Sequence, residues 1–230
     1  MNKKFASLLL LSCLGSACFA QATKGSRDSG LWATLNVEKK LNDRFNILFT
    51  EEYRTRDNYS STNLFYTDLG IETSVTKWLK VAFCYRNIQK NTDPGFYSFR
   101  HRFMLDITAK KKAGKFVLSY RQRLQRESRN NFSSEDGHLP EWYSRNKFGV
   151  KFDNGKRITP YISAEFRYQF VNPRMNESDN TWHRGRYVAG FDYKLNDMST
   201  LGLYYLVQHE WNVKTPQAIF ITGVEYSVKF

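Results

Sequence analysis

The sequence predicts an all-β protein, an antiparallel up-and-down transmembrane β-barrel of about 10 to 12 strands. Three features predict it: an export leader, a period-two alternation that runs through the chain, and a last segment that alternates up to the terminal Phe230.

The leader comes first. Lys3 and Lys4 precede an apolar run from Phe5 to Leu14, and small residues lead to Ala20. A basic start, a short apolar core and a small-residue cleavage site make a secretory signal peptide. The run falls well short of the roughly 20 residues that a membrane-spanning helix needs. Cleavage is expected after Ala20, giving a signal peptide over 1–20, a short N-terminal segment over 21–30 and the outer-membrane barrel domain over 31–230. A lipoprotein signal fits less well, because Cys13 lies close to the basic end and Cys18 follows Gly15-Ser16-Ala17 without an aliphatic residue. Without Lys3 and Lys4, 33 of the 35 Lys and Arg remain against 22 acids, a net +11. Cys84 becomes the lone cysteine, which excludes an intramolecular disulfide and any cysteine-based zinc or redox motif.

Aromatic residues make up 16% of the chain, yet mean hydropathy is −0.60 and no later segment reads as a membrane helix. Barrel strands produce this combination, since lipid-facing residues alternate with polar lumen-facing ones. Periodicity is therefore the test. Leu31, Ala33, Leu35 and Val37 oppose Trp32, Thr34, Asn36 and Glu38. Weaker alternation follows over 45–54, 65–75 and 79–89. Phe99, His101, Phe103, Leu105, Ile107 and Ala109 then oppose Arg100, Arg102, Met104, Asp106, Thr108 and Lys110. Weaker stretches over 116–127 and 142–153 lead to Ile162, Ala164, Phe166, Tyr168 and Phe170 against Tyr161, Ser163, Glu165, Arg167 and Gln169. Tyr187 to Leu195 alternate likewise, followed by 201–211. In the last segment Phe220, Val224, Tyr226, Val228 and Phe230 share a face opposite Gly223, Glu225, Ser227 and Lys229. Val224, Tyr226, Val228 and Phe230 form a C-terminal pattern of the kind that barrel-assembly machinery recognises.

Two kinds of connection alternate between these segments. Tight turns are expected at 41–43, 76–77, 111–114, 153–155 and 196–197, where Asn, Asp and Gly accept turn geometry. Longer polar loops are expected at about 57–63, 90–97, 128–141, 172–181 and 212–216. Short turns on the periplasmic side and longer loops outside are the usual barrel asymmetry. Trp142-Tyr143, Trp182 and Trp211 near segment ends suit an aromatic girdle. The segments number about eleven, whereas single-chain bacterial barrels carry even numbers. Either a hairpin is miscounted, or residues 21–30 enter the lumen or supply a short extra strand.

The wording of the segments, with Trp32, Glu51-Glu52-Tyr53-Arg54, Tyr85-Arg86, Arg100-His101-Arg102, Tyr120-Arg121-Gln122-Arg123, Glu165-Phe166-Arg167 and Arg184-Gly185-Arg186-Tyr187, resembles the domain of unknown function 2490 family across nearly the whole mature chain. That resemblance implies a Gram-negative outer-membrane β-barrel and the cell outer membrane as location. It supplies no catalytic or binding residues.

Barrel parity places a set of charged residues inside. They are Glu52 and Arg54, then Asp68 and Glu72, then Arg86, then Arg100, Arg102 and Asp106. Arg121 and Arg123, Arg145 and Lys147, Glu165 and Arg167, Arg186 and Asp192, and finally Glu225 complete the lumen. A ring of basic side chains favours anions, which suggests a narrow anion-favouring channel. The same residues can instead pair across strands and plug the lumen of a structural barrel, and the sequence favours this reading. Of the four histidines, His183 and His209 have outward parity near the outer ends of adjacent segments. A metal site or a base for a lipid-modifying enzyme would need partners, and no serine stands at matching positions. Ser133 to His138 gathers oxygen ligands without EF-hand spacing and reads as a solvated loop. Arg126, Arg129, Arg174 and Arg184 suit lipopolysaccharide phosphates. The basic residues are scattered through an exported chain with pI ≈ 9.6, so nucleic acid is not an expected partner.

The sequence thus points to a non-enzymatic outer-membrane monomer without cofactors or metal. Its expected contacts are outer-membrane lipid, lipopolysaccharide and, during biogenesis, the barrel-assembly machinery. The alternatives are an outer-membrane lipid-modifying enzyme and a soluble periplasmic β-barrel or β-sandwich binding protein.

Overall fold

A computed structural model describes residues 26–93, 96–129, 140–171, 181–213 and 215–230. The signal peptide, the Ser133–His138 loop and Arg174 lie outside the described residues. Eleven strands follow one another: β1 (Ser26–Lys40), β2 (Phe45–Arg56), β3 (Ser61–Ser74), β4 (Leu79–Asp93), β5 (Phe96–Ala113), β6 (Phe116–Ser128), β7 (Glu141–Phe152), β8 (Ile158–Val171), β9 (Trp182–Lys194), β10 (Ser199–Glu210) and β11 (Gln217–Lys229). Each pairs antiparallel with its chain neighbour, and the sheet closes on itself through β1 and β11.

The closing pair settles the odd count. β1 and β11 run parallel, in register from Ser26 opposite Gln217 to Glu38 opposite Lys229. An odd number of up-and-down strands leaves its first and last strands pointing the same way, so closure requires one parallel seam. The even number expected for bacterial barrels is therefore not what this chain adopts. Ser26–Gly30 neither enter the lumen nor add a strand; they are the beginning of β1. At the far end of the seam, Phe230 N–H donates to Glu38 O at 2.9 Å and Lys40 N–H to Phe230 O at 2.9 Å. Val224, Tyr226, Val228 and Phe230 thus lie on the outer wall beside Ala33, Leu35 and Val37.

Alternation sorts the side chains into two walls. Large apolar residues that remain exposed, such as Leu69, Ile71, Phe83, Leu105, Phe148 and Ile162, lie on the outer wall. The polar residues among them bond to one another: Thr67 Oγ1 donates to Glu51 Oε1 at 2.8 Å, Tyr85 Oη and His101 Nδ1 stand 2.7 Å apart, and Tyr120 Oη donates to Asn146 Oδ1 at 2.7 Å. The inner wall holds two small apolar clusters, Trp32 with Leu206 and Ile221, and Ala82 with Cys84 and Met104. Gly223 serves the first of these. A Cβ at that position would overlap the ring of Tyr204, which lies across it, so only glycine lets the tyrosine fold flat against the wall.

Tight connections occupy 41–44, 75–78, 114–115, 153–157 and 195–198, all at one end of the barrel. Gly114 and Gly155 take φ of 60° and 74° there. Two of the expected long loops at the other end are short. β2 and β3 are joined by residues 57–60, and β4 and β5 extend to Asp93 and Phe96. The 57–60 turn bends over the seam, with Tyr59 N–H donating to Ser29 O at 3.2 Å and Tyr59 Oη 3.2 Å from Thr222 Oγ1. Asn58 N–H donates to Asp28 Oδ1 at 2.9 Å.

Candidate functional site

The lumen is the candidate site, and its charge comes from strands whose apolar residues are committed to the outer wall. The structure places every charged residue expected inside on the inner wall, and it divides them by height. In the half nearer the 57–60 turn the cations are mostly arginines. Arg86 grips Asp68 through Nε at 2.5 Å and Nη2 at 2.6 Å. Arg123 grips Asp106 in the same fork, at 2.6 and 2.7 Å. Arg54 bonds Glu52, which also accepts from Thr34 Oγ1 at 2.8 Å. Arg100 and Arg102 converge on Glu127. Arg184 bonds Glu210 through Nε at 3.0 Å, and Arg186 donates to Gln208 Oε1 at 2.8 Å. Paired forks of this kind are the geometry in which a guanidinium tolerates burial.

Glu165 is the hub of this network. Arg145 donates to Oε1 at 3.1 Å, Arg121 reaches Oε2 at 2.8 Å from two strands away, and Arg186 Nη1 stands 3.6 Å from Oε1. Aromatic rings cover the faces that carboxylates leave open. Arg54 lies 3.6 Å above the Trp32 ring, Arg86 lies 3.4 Å above Tyr66, and Arg167 lies 4.4 Å from Tyr143. Glu52, Arg86, Asp106, Arg123, Glu127, Arg145 and Glu165 are all buried, and together they span β2, β4, β5, β6, β7 and β8.

The half nearer the tight turns carries lysines instead. Lys80 meets Glu72 and Lys151 meets Asp192, each at 2.5 Å, and Lys229 meets Glu38 at 2.8 Å. Glu225 accepts from Ser227 Oγ at 3.0 Å. Around the rim, Lys40–Asp43, Lys112–Asp153 and Lys194–Asp197 pair at 2.8, 2.9 and 2.6 Å. The bonded ammonium holds each of these turn carboxyls below the usual aspartate range, and for Asp153 the Gly155 N–H adds to the effect.

Several expectations need correcting. His183 does not face outward: it is buried in the lumen, hydrogen-bonded to Arg167 and 5.7 Å from the Tyr143 ring. The cause is a register slip between Arg167 and Tyr168, where Tyr168 pairs with Trp182 and leaves His183 as the extra residue. His209 does face outward, stacked on Trp211, so the two histidines lie on opposite sides of the wall. Tyr143 is buried beneath Arg167 and does not join a girdle; Trp142 packs on Phe170 and Trp182 on Tyr168. Arg184 lies on the inner wall with Glu210, whereas Arg126 is on the outer wall and Arg129 is exposed. Sequence reasoning missed Glu127, whose spacing of four from Arg123 gave it the same parity. It also missed the ring faces of Trp32, Tyr66 and Tyr143, which no charge pattern could reveal. Among the described residues no group of His, Cys, Asp and Glu is arranged to hold a metal ion.

A closed, mostly antiparallel barrel with an ion-paired interior is thus the class of protein the fold defines. Residues 29–218 match the family described as protein of unknown function (DUF2490), and the chain belongs to that family. No curated protein and no solved structure matches it significantly.

Proposed function

We propose that the chain is a non-enzymatic outer-membrane β-barrel protein whose lumen is closed by paired charges, a structural barrel and not an anion channel. The observation that carries the reading is the buried Arg–carboxylate network centred on Glu165. An anion path needs cations free to exchange partners, and these arginines are held by fixed carboxylates and rings. The outer wall supports the membrane location. Soluble monomers rarely expose a contiguous apolar surface beyond a few hundred Å², yet here apolar side chains are exposed on strand after strand. Strands of 12 to 18 residues also exceed the roughly 9 to 11 that cross a bilayer when tilted. In this reading the tight turns face the periplasm, Phe230 ends there, and lipid and lipopolysaccharide surround a monomer assembled by the barrel machinery.

Planar-bilayer recording tests the closed lumen. Folded protein, identified by heat-modifiable gel migration, is expected to give no conductance steps, and anion-selective steps weakened by Arg121→Ala would establish the channel instead. Fractionation with outer membrane is the expected location, and recovery as a soluble periplasmic protein would defeat it. Lipid and lipopolysaccharide profiles are expected to be unchanged in a strain lacking the protein; an altered profile would favour the enzyme reading.

A further inference from the structure

One stretch of the inner wall is not satisfied by the network above it. Arg121 and Lys147 are direct cross-strand partners, as are Lys147 and Glu165. One step toward the tight turns, Ser119, Gly149 and Ser163 follow in the same order, with Lys110 beside Ser119. Inward side chains at such paired positions have Cβ atoms about 5 Å apart, so these groups share one patch.

Within the patch, donors outnumber acceptors. Arg121 stretches past β7 to bond Glu165, which leaves its Nε buried without a hydrogen-bond partner. The Ser163 hydroxyl is likewise buried and unpartnered. Among the described residues, no hydrogen bond or ion pair engages the ammonium of Lys147 or that of Lys110. Glu165, the adjacent carboxylate, already serves three guanidiniums. Asp106 is held in the fork of Arg123, and Arg121 Nη1 approaches it only to 3.8 Å. Gly149 leaves the wall low at the centre of the patch, where a Cβ would stand 2.7 Å from Ser119 Oγ. Surplus positive charge beside buried, unpartnered donors is costly unless an anion compensates it.

We propose that this patch is an oxyanion site, in which Lys147, Lys110, Arg121 Nε and the Ser163 hydroxyl hold a phosphate-class group. Two ammoniums match a doubly charged anion, and donors arriving from four strands, β5 to β8, suit a tetrahedral ligand with several acceptor oxygens. The ligand enters from the tight-turn end, a route that rests on the reading of the opposite half as closed. Its source is either free phosphate or the phosphoryl headgroup of a lipid.

The test is calorimetric titration of the purified full chain, folded in an uncharged detergent, with inorganic phosphate at ionic strength held constant by chloride. A parallel arm uses a short-chain phosphatidic acid. Saturable binding in either arm is expected, and tighter binding in the second would assign the source to a headgroup. Lys147→Met and Ser163→Ala are each expected to weaken binding by about tenfold while heat-modifiable migration is retained, and Lys156→Met in the exposed 153–157 turn is expected to leave it unchanged. Should Lys147→Met fail to fold, Ser163→Ala carries the test alone. Absence of saturable binding in both arms, or binding by the folded variants equal to that of the parent chain, would overturn the site. Fractionation and conductance are separate measurements, so failure of this site and failure of the membrane reading can be told apart.

Discussion

The two halves of the lumen carry charge of the same sign in different chemical form. Toward the 57–60 turn, the side chains of Arg86, Arg123 and Arg145 are only 8%, 11% and 11% exposed, and each is fixed to a carboxylate. Toward the tight turns, Lys112, Lys151 and Lys229 also have acidic partners, yet 62%, 50% and 68% of their side chains remain exposed. A planar guanidinium offers donors that match a carboxylate fork and stacks on rings, so it can be packed dry; an ammonium is strongly hydrated and stays wet. The arginine half is therefore interior structure, and the lysine half is a lining that solvent reaches.

The strongest way to break that contrast is to remove the hub. Glu165→Ala leaves three guanidiniums around an empty position and is expected to cost about 3 to 5 kcal/mol, the usual penalty for stranding buried charge. Asp192→Asn removes the partner of Lys151 in the wet half and is expected to cost less than about 1 kcal/mol. Urea unfolding of both variants in the same micelles gives the comparison, and equal losses would mean that the halves do not differ energetically. Next in size is Gly223→Val, which forces Tyr204 off the wall beside the Trp32 cluster. It is expected to cost about 1 to 3 kcal/mol, as overpacking does. Adding Tyr204→Leu is expected to recover part of the loss; strict additivity of the two changes would show that the ring and the glycine are not coupled.

The parity of the two walls was legible because side chains alternate in every strand, and the charged residues from Glu52 to Glu225 needed only that rule. Their partners were not legible. Register sets each arginine between two neighbours, Arg86 between Asp68 and Arg102 and Arg123 between Asp106 and Arg145, so parity alone does not tell which neighbour it meets. Arg145 reaches Glu165 diagonally, and Arg121 reaches it across an intervening strand. His183 was misplaced because a one-residue slip reverses parity without leaving a trace in composition. The segment count was right, but the seam was hidden, since no turn joins β1 to β11 and only closure sets their register. The unpartnered Lys147 and Ser163 were equally hidden, being defined by what their neighbours already bond.

The seam offers the next sharpening. Parallel pairing is slightly less stable per residue than antiparallel pairing, and the 57–60 turn ties β1 to β11 through Tyr59. Tyr59→Phe removes the contact to Thr222 Oγ1 while keeping the ring, and about 1 kcal/mol of stability is expected to go with it. Hydrogen exchange should then rise first in β1 and β11. Exchange that rises uniformly, or not at all, would show that the turn does not secure the closure.

The smallest effect belongs to the rim of the wet half and is read through pH. Asp43, Asp153 and Asp197 have carboxyls held below their ordinary range by Lys40, Lys112 and Lys194, the bonded ammonium being the leading cause in each. A carboxyl lowered in the folded state binds its proton more readily in the unfolded one. Its contribution is therefore complete above about pH 4, the unfolded aspartate value, and fades as pH falls through the lowered folded value. The triple Asp→Asn variant should consequently show a shallower fall in unfolding temperature below pH 4 than the parent chain, with the two curves parallel above it. Asp43 and Asp197 are almost fully exposed and Asp153 is partly exposed, so roughly 1 M salt, which shortens the screening length to about 3 Å, should abolish most of the difference. A difference that survives such salt in full would mean that the rim pairs are shielded from solvent after all, and that the wet half begins deeper in the barrel.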